Sequence, residues 1–538
     1  MKTPTNHNPV VLLWLITVLA VGCTKKEHQE LKTLRINIPE STLDVIDKYV
    51  DIAIDQEVIS SNLKRYFDAE LVRGDSTVPI KIRLKGDWTD HVNTSKISFR
   101  IKMPKKSHFF DYSIFSIQNP ETKSFLDEWF LRKIFKREGI LTPRYEFINV
   151  IINNEIKGIY ALEEHFQAEL LASNNKATGP ILKIAEDGFW EANVYEREND
   201  VKIQKYYPIY EASIIRPFNV KSVLKSPVLY EQFIEAQSVL FALKNGKVPV
   251  DELIKLDELA KLYAICDMAR VNHGFAAHNQ RWYYDSTKKL LGPIAHDFNG
   301  IYRQPDEVEV IYGFRRNEII TMWDSKHIIP FSPFNNKKFN DLYFQYLSTY
   351  CSEKYLNTIF DYLDNELTLL ENLIQQEHFF YSFDKSHYYD NISRIKTQLQ
   401  LFENPTSREG PLYQFKPMNI VKNEQNVHLF TSVSVNAYFD SRDSTLFLQN
   451  FHSYSINITG FYSKSKEKID MSSVTLSAYN QPNASKTIRI IQKPSYILFC
   501  VSDKQSEVFK TKIIPWPHPE KYYSKAAIPV TSNPVISK

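Results

Sequence analysis

The chain has 538 residues, with 66 Lys and Arg set against 63 Asp and Glu for a net charge of +3. So close a balance makes no electrostatic case for nucleic acid or for a polybasic membrane surface. With 43% hydrophobic residues, among them 31 Tyr and 34 Phe, there is ample material for a large packed core, and the length argues for about two to four domains.

Residues 10–21 form an apolar run broken only by Thr17, with Lys2 as the only charge before it. The run is shorter than the about 20 residues that span a bilayer, and it has the flanks of a signal-peptide core. It closes on Ala20-Val21-Gly22-Cys23, small residues before a cysteine that resemble a bacterial lipobox. That resemblance makes Cys23 the lipid-bearing first residue of a mature envelope protein, attached to the membrane through its anchor. An ordinary secretory signal is the plain alternative. Residues 24–32 are charged, lack apolar periodicity and read as a tether. The remaining cysteines, Cys266, Cys351 and Cys500, are widely spaced without CxxC, so they read as buried thiols.

From residue 33 to about 182 the pattern is mostly strands, at 80–84, 97–101, 147–152 and 156–162. Asn153-Asn154 supplies a tight turn between the last two. One helix, 124–138, places Leu126, Trp129, Phe130 and Ile134 on one face, with Gly139 as its cap. From 226 to 400 helices dominate, at 257–270, twice within 339–380, and at 390–402. A strand pair, 281–284 and 290–295, interrupts them. Pro405 and Pro411 mark a linker, and 427–514 returns to short alternating strands that suggest a β-sandwich. Tyr438, Phe447, Phe451 and Tyr462 read as core positions of that sandwich. The expected division is a leader at 1–22, a tether at 23–32, a β-rich lobe at 33–225 and a helical lobe at 226–404. A linker at 405–426 and a C-terminal β-domain with tail at 427–538 complete it.

The most informative segment is 267–300. A helix ends, a polar loop follows, and a hairpin then delivers His296-Asp297. Because a hairpin brings its outer ends together, Asn279 and Asp297 should lie close. An amide oxygen and a carboxylate suit Mg²⁺, a hard cation that also takes phosphate oxygens. Protein kinases hold their metals with the same pair of residue types. The plain alternative is that Asn279 caps a turn and Asp297 merely ends a strand. Upstream, strand alternation puts Lys81, Arg83 and Lys85 on one face, and Lys96, Arg100 and Lys102 on one face of the next strand. Such faces would cradle polyphosphate, or simply be solvated. A rival reading joins His273, His278, His296 and Asp297 in a Zn²⁺ site, although no HExxH spacing supports it. No GxGxxG or GxxxxGK[ST] loop is present.

Several blocks resemble, in order, those of the CotH kinase family. They are Lys81 to Trp88, Ser95 to Lys102, Leu131-Arg132, Pro143-Arg144-Tyr145, Gly158-x-Tyr160-x-x-x-Glu164, His278-Asn279, Arg281-Trp282-Tyr283-Tyr284 and Pro293-Ile294-Ala295-His296-Asp297. The resemblance covers about residues 75–300. It implies an α+β, atypical kinase-like fold whose β-rich and helical lobes enclose a nucleotide cleft, followed by the small β-domain. It further implies transfer of the ATP γ-phosphoryl group to Ser or Thr of an envelope protein. Asp297 would be the metal-binding acid, with Asn279 beside it in the catalytic loop, together holding Mg²⁺ or Mn²⁺. Lys96 would contact phosphate, assisted by Lys85 or Arg100. Glu128 would pair with such a lysine, and Glu163 or Glu164 would sit at the rim of the cleft. One departure matters: many members carry an acid early in the loop, where this chain has His273-Gly274. His273 would then replace the acid as general base. The departure keeps a second reading open, a non-catalytic surface lipoprotein that binds a protein or glycan.

Overall fold

The computed structural model describes residues 31–298, 332–400 and 434–522, apart from 202, 204–206, 247 and 503. Cys23, nearly all of the tether, the linker and the tail after residue 522 lie outside the described residues. Helices and strands are mixed along the chain, an α+β protein. Among the described residues no helix is long and apolar enough to cross a membrane.

Seven strands close a barrel: β1 (Thr33–Asn37), β2 (Phe67–Arg73), β3 (Ser76–Leu84), β4 (Phe99–Lys102), β5 (Ile114–Gln118), β6 (Tyr145–Ile152) and β7 (Glu155–Glu164). Their order is β1-β2-β3-β4-β5-β7-β6, and parallel pairing of β6 with β1 closes the ring. Period-2 alternation sends Ile80, Ile82, Leu84, Phe99, Ile101, Phe115 and Ile117 into the barrel core. The residues between them, Lys81, Arg83, Arg100 and Lys102, take the outer wall, where Arg83 lies opposite Arg100. Asn153 and Asn154, at φ 50 and 65, make the expected two-residue turn.

The stretch expected to be mostly strands also holds a 17-residue helix, α1 (Glu40–Gln56). Its β-branched residues read locally as strand. Yet Leu43, Ile46, Val50 and Ala53 recur at helical spacing and pack on the barrel core. Helix α2 (Leu126–Arg137) buries Leu126, Trp129, Phe130 and Ile134 as expected. It stops at Gly139, where φ of 79 lets the chain turn and Ile140 N–H reach Phe135 O at 2.9 Å.

The hairpin β10 (Arg281–Asp285) and β11 (Leu290–Ile294) joins two further strands, β8 (Ile181–Ile184) and β9 (Ile215–Pro217), in a four-stranded sheet. Long helices pack beside it: Asp187–Asn199, Pro227–Lys244, Leu256–Ala269, Lys337–Tyr350, Glu353–Gln375 and Ser386–Gln400. Helix α2 ties this layer to the barrel, with the Phe130 and Phe360 rings stacked at 5.2 Å. Cys266, Cys351 and Cys500 are buried free thiols.

Residues 435–512 form two small sheets around Val435, Ala437, Phe439, Leu446, Leu448 and Phe461. The aromatics expected there take the other phase of the alternation. Tyr438 joins the helical core with Phe447 packed beside it, Phe451 packs near Tyr207, and Tyr462 stacks on Tyr496 at 5.1 Å. Mostly aliphatic side chains, with Phe439, Phe461 and Phe499, fill the inner face, and a one-residue shift in phase exchanges every side chain between faces.

Candidate active site

A cavity of about 360 Å³ opens between the outer wall of the barrel and the four-stranded sheet. On the barrel side it is lined by Arg83, Lys85, Arg100, Glu163 and the loop from Gly86 to His91. Gly86 has φ +101, and a Cβ there would fall inside the His91 ring. Only glycine lets that loop fold back. The facing side carries Lys183, Glu186, Arg281, His273, Asn279 and Asp297.

The register of the hairpin, with Arg281 opposite Ile294, places the chain before β10 beside the chain after β11. Asp297 is half-buried with φ 62, a left-handed conformation. One carboxylate oxygen accepts from Lys123 Nζ, and the other lies 3.6 Å from His273 Nε2. Burial alone would raise this carboxyl. The charges of Lys123, His273 and His296 outweigh it and hold Asp297 well below the usual carboxylate range. Asn279 donates through Nδ2 to His273 O at 3.1 Å. Asn279 and Asp297 therefore line one cleft, as the sequence predicts, each in contact with His273. Gly274 has a structural reason: a Cβ there would lie 2.6 Å from the Phe298 ring and 2.7 Å from His296 O. An acid at 274 does not fit, and His273 is the side chain that reaches Asp297.

The barrel wall is cationic. Lys85 Nζ donates to Gln118 Oε1, and burial lowers the lysine to about 8, partly offset by Glu163 and reinforced by Lys123 and Arg100. Arg100 bonds Ser116 Oγ at 3.1 Å and His165 Nδ1 at 2.9 Å, and burial lowers it to about 10. Arg83 donates to Leu84 O at 2.7 Å. None of these three is ion-paired with a carboxylate among the described residues. Lys85 is buried and Arg83 and Arg100 are half-buried, and although the Glu163 charge reaches this wall, the absence of a directly paired carboxylate leaves it suited to an anion. Glu163 also lines the cavity, but it pairs with Arg132 at 3.1 Å.

Other expectations are corrected. Lys96 does not line the cavity. Strand β4 begins only at Phe99, so Lys96 falls in a turn closed by Thr94, where Nζ pairs with Glu377 and donates to Ile159 O at 2.8 Å. Glu128 pairs with Arg132 of its own helix at 2.7 Å rather than with a lysine. Glu164 pairs with Arg144 at 2.7 Å, away from the cavity. The zinc reading fails as well. His278 stacks on Phe189 at 4.9 Å and His296 lies 3.5 Å from Arg132, and no group of three potential metal-binding side chains occurs among the described residues.

Sequence reasoning missed Lys123, Arg132, Lys183 and Glu186. Lys123 lies in a turn that Asn119 caps by accepting Glu121 N–H at 3.3 Å, so Asn119-Pro120 signalled the turn. Nothing local pointed to Asp297, 174 residues away. For a divalent cation the cleft offers the Asp297 carboxylate and the Asn279 side-chain oxygen. Mg²⁺ commonly takes one or two carboxylates plus substrate phosphates and waters. The donor set fits an ion that arrives with a polyphosphate, not one caged by protein.

The fold is that of an α+β protein with a polar cleft, where a half-buried acid, Asp297, faces cations that have no directly paired carboxylate among the described residues. The model of the family described as CotH kinase protein matches residues 82–402, more than half of the chain, and the chain belongs to that family. Membership makes it kinase-like and implies ATP and a divalent metal. No curated protein matches the chain.

Proposed function

We propose that the chain transfers the γ-phosphoryl group of ATP to a Ser or Thr hydroxyl of an envelope protein, with the barrel and the helical layer acting as two lobes around the nucleotide. The observation that carries this reading is the set of cations, Arg83, Lys85 and Arg100, that have no directly paired carboxylate among the described residues on the wall opposite Asp297. They would take the phosphates. Asp297 and Asn279 would hold Mg²⁺ or Mn²⁺, which neutralises phosphate charge when bound. His273 would accept the acceptor's proton as the bond from the γ-phosphorus to ADP breaks. Positioning and electrostatics would supply most of the catalysis. Lipidated Cys23 would anchor the protein to the envelope membrane, and residues 435–512 would form a separate β-sandwich domain.

A second reading has its own observation. Lys123 occupies Asp297, and Gly274 excludes an acid from the loop. In that reading the cleft holds nucleotide without transfer, and the surface lipoprotein works by binding a protein or glycan. Calorimetric titration of ATP into the chain, with and without Mg²⁺, tests the shared step. The proposal expects metal-dependent binding that Asp297→Ala weakens. Absence of binding with either Mg²⁺ or Mn²⁺ removes the nucleotide reading.

A further inference from the structure

Asp297 is held by its backbone as well as by its carboxylate. Glu128 lies on α2 one turn before Arg132, so the two share a face. Glu128 Oε1 accepts from Arg132 Nε at 2.7 Å and from Asp297 N–H at 3.3 Å. The Arg132 guanidinium is buried and spans four segments. It donates to Glu128 on its own helix, to Pro143 O at 3.1 Å in the loop before β6, and to Glu163 at 3.1 Å on β7. Its fourth contact, His296 Nδ1 at 3.5 Å, follows β11. The next residue is Asp297, a non-glycine residue at φ 62. That conformation persists only where the surroundings over-determine it. Two neighbouring bonds fix the approach: Ala295 N–H to Leu141 O at 2.8 Å and Thr142 Oγ1 to Ala295 O at 2.9 Å.

We infer that Glu128 and Arg132 are positioning residues for Asp297: their buried pair clamps its main chain so that the carboxylate faces the cationic wall. The inference rests on the phosphotransfer reading for its consequence, and on geometry alone for the clamp. Glu128 Oε2 is buried without a hydrogen-bond partner. Glu128→Gln therefore keeps an oxygen for both bonds and places its amide nitrogen where no bond is lost. Glu128→Ala removes the acceptor and leaves Arg132 its bond to Glu163.

The test compares the parent full-length chain with Glu128→Ala and Glu128→Gln in two measurements. The first is Mn²⁺ affinity in the presence of ATP, followed by electron paramagnetic resonance, alongside ATP affinity without metal. Loss of residues that orient a metal ligand typically weakens metal binding about 10–100-fold. That loss is expected in Glu128→Ala, with Glu128→Gln near the parent and metal-free ATP binding unchanged in both. The second is hydrogen exchange of the Asp297 amide, which should quicken in Glu128→Ala alone. Parent-like Mn²⁺ binding and amide protection in Glu128→Ala would overturn the clamp, as would a parallel loss of metal-free ATP binding. If the parent binds no nucleotide, the phosphotransfer reading fails, and amide exchange still decides the clamp.

Discussion

Replacing Lys85 by Met separates the stability of the cleft from its chemistry. Lys85 is 7% exposed and bonded to Gln118, and burial lowers it from 10.5 to about 8. One pKa unit is about 1.4 kcal/mol, so holding this ammonium protonated in the fold forfeits roughly 3 kcal/mol below pH 8. Between pH 8 and 10.5 the unfolded chain binds the proton that the folded chain has released. The stability of the parent therefore rises with pH across that window, and above it both states are neutral. Lys85→Met lacks the group. It also orphans Gln118 Oε1, a loss of about 1–3 kcal/mol that does not change with pH. Chemical denaturation of both chains from pH 7 upward isolates the term. Lys183, lowered to about 8, and Lys244, lowered to about 7, are present in both and cancel in the difference. Stability of parent minus variant should grow by roughly 3 kcal/mol as pH passes through the window. The variant should also lose ATP binding at pH 7. A flat difference curve would refute the reasoning.

Four further substitutions have distinct outcomes. Gly274→Asp puts a side chain 2.6 Å from the Phe298 ring, so it should lower stability by about 1–3 kcal/mol in denaturant titration and give no gain in phosphate incorporation. Lys96→Met should leave ATP affinity at the parental value, because its partly exposed pair with Glu377 lies outside the cleft; the stability loss should be at most about 1 kcal/mol. His273→Ala should lower phosphate transfer about 10²–10⁴-fold in a steady-state assay while ATP affinity is retained. Arg132→Met leaves Glu128 and Glu163 buried without their cation, so its denaturation midpoint should report a loss of about 3–5 kcal/mol.

What could be read from the sequence follows the range of the forces involved. The polar loop around Asn279 was legible because a hairpin is local: the strand pair at 281–284 and 290–295 was enough to bring Asn279 and Asp297 to one cleft. The face of α2 was legible for the same reason, being set by helical spacing. Helix α1 was hidden because its Val and Ile residues favour strands locally, and only packing on the barrel decides otherwise. Lys96 was misassigned because alternation was carried back to a residue three positions before β4 begins at Phe99. The aromatics after residue 435 were misassigned because alternation fixes two faces without saying which is inner. Asn119-Pro120 marked the turn that holds Lys123 and Leu131-Arg132 matched a family block, but nothing local signalled what Lys123 and Arg132 contact. Their roles arise from segments brought together by the closed barrel and by the core around Phe130.

The most direct test follows the phosphoryl group itself. The full-length chain is incubated with ATP labelled at the γ position and Mg²⁺, beside Asp297→Ala, and protein-bound label is measured. The account predicts incorporation into Ser or Thr in the parent and its loss in the variant. Equal label in both chains, or none in a parent that binds ATP, would contradict it.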